Sequence, residues 1–515
     1  MTMRNFVGLL GDQRGHYLLV MLCAALVTGS EAVLHPLLMK AIFDAVSVRE
    51  SFAHFVWLGL GYLALGVGIN ILNYGVSLWK LRVDNRIVAR VSDRLLRAYF
   101  SRDYGTLMRE GSGYYVARIR SDVRDGLVPM LATVRAMAVS ATTVVLLIAV
   151  LLYLSWQAFA ILMVIIPVST AVSLLVSRRI RRLTEVERDS EAAVVDILTR
   201  AVGAFKIVRG FGLVPRTIAS FAHGLGSALD SAYRKSRLVW LLQRGSDLTM
   251  VVSDVCSIFV GAYLVFRDQL SLGSFIAFMN AFWRAATTVI DIFSKLAEIH
   301  GYGATIDRLA AFMAVPPAPR RHVTGAEVSA AGIGFSYDAR PVLSGFSMDV
   351  APGERALIIG RNGVGKTTLA NILCGYLAPS TGALTLPERV SGITLPLSFP
   401  PMQVRDLPID PELRALFGLE AAEILDAAPD RLSAGQQQKV ALGLALSMDA
   451  QLYVLDEPLA NLDTASCDLA MREICRRTEG RMLVMIMHNA DDYLPMFDHV
   501  HVLGETPRQR VAQRV

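Results

Sequence analysis

Six apolar stretches, each long enough to cross a bilayer, dominate the first 300 residues: about 20 apolar residues suffice for one crossing. They run roughly over Tyr17–Phe43, Phe55–Trp79, Leu127–Leu154, Trp156–Val176, Val239–Phe266 and Leu272–Ser294. Only "YLSW" separates the third from the fourth, so these two form a tight hairpin. Backbone polar groups inside lipid must be satisfied within the segment, which makes each stretch a helix. Composition agrees. The chain is 53% hydrophobic and 19% charged, against about 25% charged for soluble domains, and its mean hydropathy is +0.44.

The net charge of +6 would suit nucleic acid or anionic lipid as a partner. The positions of the charges decide between them. Residues 80–126 carry eleven Lys/Arg and residues 178–237 carry twelve, whereas the three short loops carry only Arg49 and Arg267. By the positive-inside rule the two long loops and both termini are cytoplasmic. The expectation is a multi-pass protein of the cytoplasmic (inner) membrane with no nucleic-acid partner. A cleaved secretory signal, suggested by Arg4, Arg14 and "TGSEA", fits less well because the first stretch is too long. In the long loops, "VDNRIVARVSDRLLRAYF" places apolar residues at helical spacing, so the spans continue as helices into the cytoplasm. The five cysteines, Cys23, Cys256, Cys374, Cys467 and Cys475, are odd in number and form no CxxC pair, and read as small buried hydrophobes.

At "VPPAPRRHVTGAE", residues 315–327, paired prolines mark a linker. The domains are therefore expected at 1–314, a transmembrane domain, and 328–515, a soluble α/β domain. In the second, "RALIIG" suits a buried parallel strand. It leads into Gly360, Arg361, Asn362, Gly363, Val364, Gly365, Lys366, Thr367 and Thr368, with a helix after. This is a phosphate-binding loop in its strand–loop–helix setting. Backbone N–H groups would wrap the phosphates of ATP, Lys366 would reach the β- and γ-phosphates, and Thr367 would ligate Mg²⁺. "LYVLDEP" delivers two carboxylates to a strand end: Asp456 for the Mg²⁺ shell, Glu457 to orient or deprotonate the attacking water. A third apolar run, "RMLVMIMH", ends on His488, where strands present ligands to a nucleotide. In "LSAGQQQKV", Ser433 is a good N-cap, and a helix N-terminus with a free hydroxyl is an anion site.

Taken together, these motifs resemble those of ABC transporters of the exporter type. The fold expected is an all-α transmembrane domain of six long helices followed by an α/β P-loop ATPase domain. "LSAGQ" is similar to the family's signature motif, with Ser433, Gly435 and Gln436. "ANLD", ending on Asp463, resembles its D-loop, and His488 its switch histidine. Tyr337 in "GFSYD" matches the aromatic that stacks on adenine. The resemblance implies that the signature of one subunit completes the ATP site of the other, so that two chains enclose two ATP molecules. It implies ATP hydrolysis, with a second copy of this chain or a related half-transporter as partner.

One region departs from the family. The glutamine expected after the strand near 390 is replaced by Leu397 or Ser398, and Gln403 lies nearby but off register. The acidic stretch before the signature is reduced to "AAPDR", and "ALGLAL" after it lacks an arginine.

Ionisable residues interrupt the spans. Glu31 and His35 share a face of the first; Arg135 sits in the third; Arg244, Asp247 and Asp254 share a face of the fifth; Arg284, Asp291, Lys295 and Glu298 share a face of the sixth. Such residues face protein or water. They are either interhelical salt bridges or the lining of a polar, mixed-charge cavity. The cavity reading suits an amphipathic, peptide-like substrate, and the resemblance implies efflux by alternating access of a homodimer. The alternatives are a lipid flippase, a multidrug exporter, an importer on the same scaffold, or a soluble ATPase acting on DNA, which the spans argue against.

Overall fold

A computed structural model describes residues 2–48, 51–110, 112–162, 182–183, 186–187, 189–191, 193–315, 323–337, 340–488 and 491–504. The chain divides into two compact units: residues 1–95 with 117–313, and residues 96–116 with 314–515.

The first unit is helical. Its long helices are α1 (Arg14–Ser47), α2 (Phe52–Phe100, which runs on past this unit), α3 (Val128–Leu154), α4 (described over Trp156–Leu162), α5 (Val214–Phe266) and α6 (Leu272–Ala314). The rest of the expected fourth span, 163–176, lies outside the described residues. Among the described residues three helical stretches are long and apolar enough to cross a membrane: 2–47, 52–100 and 114–154. In α5, Arg244, Asp247 and Asp254 interrupt the apolar sequence. In α6, Arg284, Asp291 and Lys295 do the same. The α3 helix packs along α1, and with the ends of α5 and α6 they bury Ala32, Leu147, Leu151, Leu264, Phe278 and Phe282.

The second unit is α/β. Five parallel strands lie in the order β6-β7-β8-β4-β9: β4 is Arg355–Gly360, β6 Val390–Ile393, β7 Leu452–Asp456, β8 Met482–Met487 and β9 His499–Leu503. A second sheet, ordered β1-β5-β2-β3, consists of Val323–Thr324, Thr381–Leu386, Val328–Tyr337 and Arg340–Val350 in that spatial order. Strands buried on both faces need apolar side chains at every position, and β7 and β8 are buried throughout. On β4, Ala356 and Ile358 join one core with α7 (Lys366–Leu373), while Leu357 joins the other with α9 (Ala434–Ser447) and α10 (Thr464–Arg477). Each fully buried Leu or Ile contributes about 1.5–3 kcal/mol. Between β6 and α9 lie α8 (Pro411–Leu416) and the one-turn helix Ala422–Leu425. An ion network ties α8 to α10. Arg477 reaches Asp410 at 2.9 Å and Glu412 at 2.6 Å, Arg476 reaches Glu412 at 3.0 Å, and both arginines grip Glu473.

Residues 96–116, expected to belong with the membrane helices, group instead with the ATPase-like unit. Their helix Tyr104–Glu110 sets the Tyr104 ring 6.0 Å from that of Tyr376, and Gly105 lies close to Leu377.

Candidate functional site

The carboxyl ends of β4, β7 and β8 lie side by side. Ile358 and Asp456 are both in register with Ile486. That register brings the loop after β4, the pair Asp456–Glu457 and His488 to one edge of the sheet, the usual crevice for ligands in open α/β folds.

The loop turns from β4 into α7 through Gly363 and Gly365, with φ of +80° and +104°. At Gly365 a Cβ would also meet Leu343 and Val342 at 2.9–3.0 Å, so glycine is required twice over. Arg361, Asn362 and Gly363 are exposed, Val364 and Thr367 half-buried, and Lys366 and Thr368 buried. The Lys366 ammonium folds back over the loop, donating to the carbonyls of Gly360 at 2.8 Å and Arg361 at 3.4 Å. It therefore sits at the loop's centre.

Asp456 is almost wholly buried, at 1% exposure. Burial raises its carboxyl above the ordinary range, while the Thr367 hydroxyl, the Leu395 backbone N–H and the Lys366 charge oppose the rise. Its Oδ2 is buried without a hydrogen-bond partner. A buried carboxylate oxygen left unsatisfied beside a threonine hydroxyl and a phosphate loop is the donor set a hard divalent cation takes, so the residues fit Mg²⁺.

Glu457 follows in a left-handed conformation, φ +50°. Its own N–H donates to Ile486 O at 2.8 Å, and its carboxyl accepts from the His488 backbone N–H. Burial lifts this carboxyl too above its ordinary value. The His488 side chain is exposed at the end of β8.

Ser433 caps α9 as expected, but its hydroxyl is engaged. It accepts from the Gln436 N–H at 3.3 Å and donates to Gln436 Oε1 at 3.1 Å, a complete capping box. The exposed face there consists of Ser433 and Ala434, with Gly435 and Gln436 half-buried. Asp463 caps α10, accepting from the Ser466 N–H at 2.8 Å, and those bonds hold its carboxyl below the usual range. Tyr337 ends β2 with its ring edge-on to that of Phe335.

The segment that lacks the expected glutamine is now placed. Leu395, Pro396 and Leu397 line a cleft with Ala434, Gln437 and Gln438 of α9. From this segment the Leu395 backbone N–H reaches Asp456. Gln403 is exposed at the start of a one-turn helix.

In the membrane unit the charged residues fall into separate groups. Arg284 meets Glu31 at 3.2 Å, and His35 bonds the Tyr62 hydroxyl nearby. Asp291 is paired with Lys295 and accepts from Ser140 at 3.0 Å, and Glu298 accepts from Thr133 at 3.1 Å. Arg135, expected to line a cavity, is instead 3% exposed and held in a two-pronged pair with Asp84. That pair removes it from any open wall. Arg244 and Asp247 pair with each other at 3.1 Å on the exposed face of α5, and Asp254 is half-buried further along the same helix. Tyr62, Asp84 and Leu395 had no sequence signal, because each is defined by a partner distant in the chain.

Comparison with known proteins agrees with this architecture. The family model for the ABC transporter transmembrane region matches residues 18–284, and that for ABC transporter matches residues 343–397 and 410–460. The chain belongs to the ABC transporter family: an integral membrane protein of the exporter-type half-transporter class, with ATP hydrolysis coupled to transport. The unmatched stretch, 398–409, is where the family's glutamine was sought. An ATP-dependent lipid A-core flippase of Chromobacterium violaceum is 24% identical, over 98% of this chain and 94% of its own. The mitochondrial potassium channel ATP-binding subunit of Rattus norvegicus is 23% identical, over 88% of this chain and 70% of its own. The aliphatic sulfonates import ATP-binding protein SsuB of Granulibacter bethesdensis is 36% identical, over 32% of this chain and 75% of its own.

Proposed function

We propose that two copies of this chain form an exporter of the cytoplasmic membrane that moves an amphipathic molecule outward, with both termini in the cytoplasm. The observation that carries the substrate class is the Arg284–Glu31 pair, whose side chains stay 27% and 35% exposed within the helical unit. A charge in a span faces protein or a wet cavity, and an incompletely buried pair beside His35 and Tyr62 offers polar partners to a headgroup. The relatives named lipid A-core flippase favour a lipid-like amphiphile. The mixture of acid and base favours a small peptide as the second reading.

In the ATPase unit, the loop from Gly360 to Thr368 binds the phosphates of ATP, and the ammonium of Lys366 exchanges two backbone carbonyls for the β- and γ-oxygens. Thr367 and Asp456 would hold Mg²⁺, which neutralises charge on the phosphates. Glu457 orients the attacking water and accepts its proton, while His488, at the same strand edge, stands beside the γ-phosphate. Tyr337 stacks on adenine. Ser433, Gly435 and Gln436 of one chain and Asp463 close over the ATP held by the other.

The test is ATP hydrolysis in lipid nanodiscs against lipids, short peptides and hydrophobic drugs, with Glu457→Gln as blank. Saturable stimulation by lipids that is lost in Arg284→Gln supports the reading. Stimulation by peptides alone moves the substrate to the second class. Transport unchanged in both Arg284→Gln and Asp254→Asn would refute the charged cavity.

A further inference from the structure

Gln438 is the third glutamine of "LSAGQQQKV". It is wholly buried, at 0% exposure. Its amide nitrogen donates to two consecutive carbonyls, Pro458 O at 2.9 Å and Glu457 O at 3.3 Å. These carbonyls follow a residue held at φ +50°, a conformation a glutamate adopts only when its surroundings impose it. The same loop continues to Asn461, also left-handed at φ +61°. There, one turn earlier on α9, Gly435 comes so close that a Cβ would stand 2.8 Å from Asn461 O. One helix face thus grips the loop 457–461 at both ends, by a glutamine amide and by a backbone approach that only glycine permits. The other side of the same helix start presents the exposed Ser433.

We propose that Gln438 is a positioning residue: it fixes the backbone that aims Glu457, and so makes each ATP site sense the other. The inference rests on the reading above, in which Glu457 is the base and Ser433 faces the partner's ATP. On that reading α9 touches one nucleotide through its N-terminus and, through Gln438, the backbone carbonyls of Glu457 and Pro458 at the other site. A small shift of α9 on capturing the partner's ATP moves the Glu457 carbonyl through the hydrogen bond of the buried Gln438 amide.

The experiment uses the full chain in nanodiscs. Gln438→Met keeps the volume and removes the donor. It is expected to lower kcat about tenfold or more, the scale of a misplaced general base, with binding of a fluorescent ATP analogue within about twofold of wild type. The Hill coefficient for ATP is expected to be above 1 in the wild type and to fall to about 1 in Gln438→Met. Gln438→Glu guards against a folding artefact. Its protonated carboxyl restores an O–H donor, so its kcat relative to wild type should climb from about pH 8 to about pH 6. An unchanged kcat in Gln438→Met overturns the proposal, as does a parallel loss of affinity and kcat with the Hill coefficient unmoved. A non-cooperative wild type overturns the cross-talk. Glu457→Gln run beside them separates the two failures: if it still turns over, the assignment of the base has failed, whatever Gln438 does.

Discussion

Arg135 and Asp84 are joined by two parallel hydrogen bonds of 3.0 and 2.7 Å, with the guanidinium lying 5.2 Å from the centre of the Tyr17 ring. Tyr17 in turn donates its hydroxyl to Leu131 O at 2.8 Å. Three helices, α1, α2 and α3, are pinned at one point. The side chains are 3% and 15% exposed, so either charge alone would be stranded. Removing one partner of a buried pair costs about 3–5 kcal/mol, whereas replacing both by apolar residues is often near neutral. Arg135→Met and Asp84→Leu should each lower the thermal midpoint in detergent, and the double replacement should recover most of the loss. Additive losses would show that the two do not act as a pair.

The elevation of the Glu457 carboxyl makes a prediction about pH. A base must be ionised to work, and burial delays ionisation to a higher pH. The acid limb of kcat/KM for ATP should therefore lie above the ordinary glutamate value of about 4.3. In Glu457→Gln turnover should vanish while ATP still binds. A limb at or below the ordinary value, or phosphate release undiminished in the variant, would remove Glu457 from the role.

Glu473 offers a test of the tie between α8 and α10. Arg476 and Arg477 donate three bonds of 2.6 to 3.0 Å to it, and these hold its carboxyl below the ordinary value. A lowered folded pKa means stability that is present above the unfolded value and lost as pH falls through the folded one. Denaturant unfolding of the full chain should show the wild-type advantage over Glu473→Gln at neutral pH, about 1–3 kcal/mol, shrinking as the pH falls below the ordinary carboxylate range. A difference independent of pH would contradict the assignment.

What could be read from residues alone was the part written contiguously. The turn Gly360–Thr368, the strand end Asp456–Glu457 and the cap at Ser433 each depend on neighbours within a few positions. Periodicity and apolar length likewise give the helical character of α1, α2 and α3. What could not be read depends on distant encounters. Arg135 looked like a cavity residue because Asp84 lies 51 positions earlier. The bond from the Leu395 backbone N–H to Asp456 carries no sequence signal, because any residue type could supply it. Gln438 hid within a run of three glutamines that pattern alone reads as a polar helix face.

The grouping of residues 96–116 with the ATPase unit changes where this protein can be divided. A chain cut at the linker and expressed from residue 315 onward would contain every nucleotide-binding motif, yet it would lack part of its own wall. Tyr376 would lose the ring of Tyr104, and Leu377, only 3% exposed, would lose its cover at Gly105. The hydrolytic machinery is thus not a detachable module bounded by its motifs. One of its surface pieces is encoded more than 200 residues upstream, within the helical half, and inheritance or engineering of the two halves must keep that piece matched to Tyr376 and Leu377.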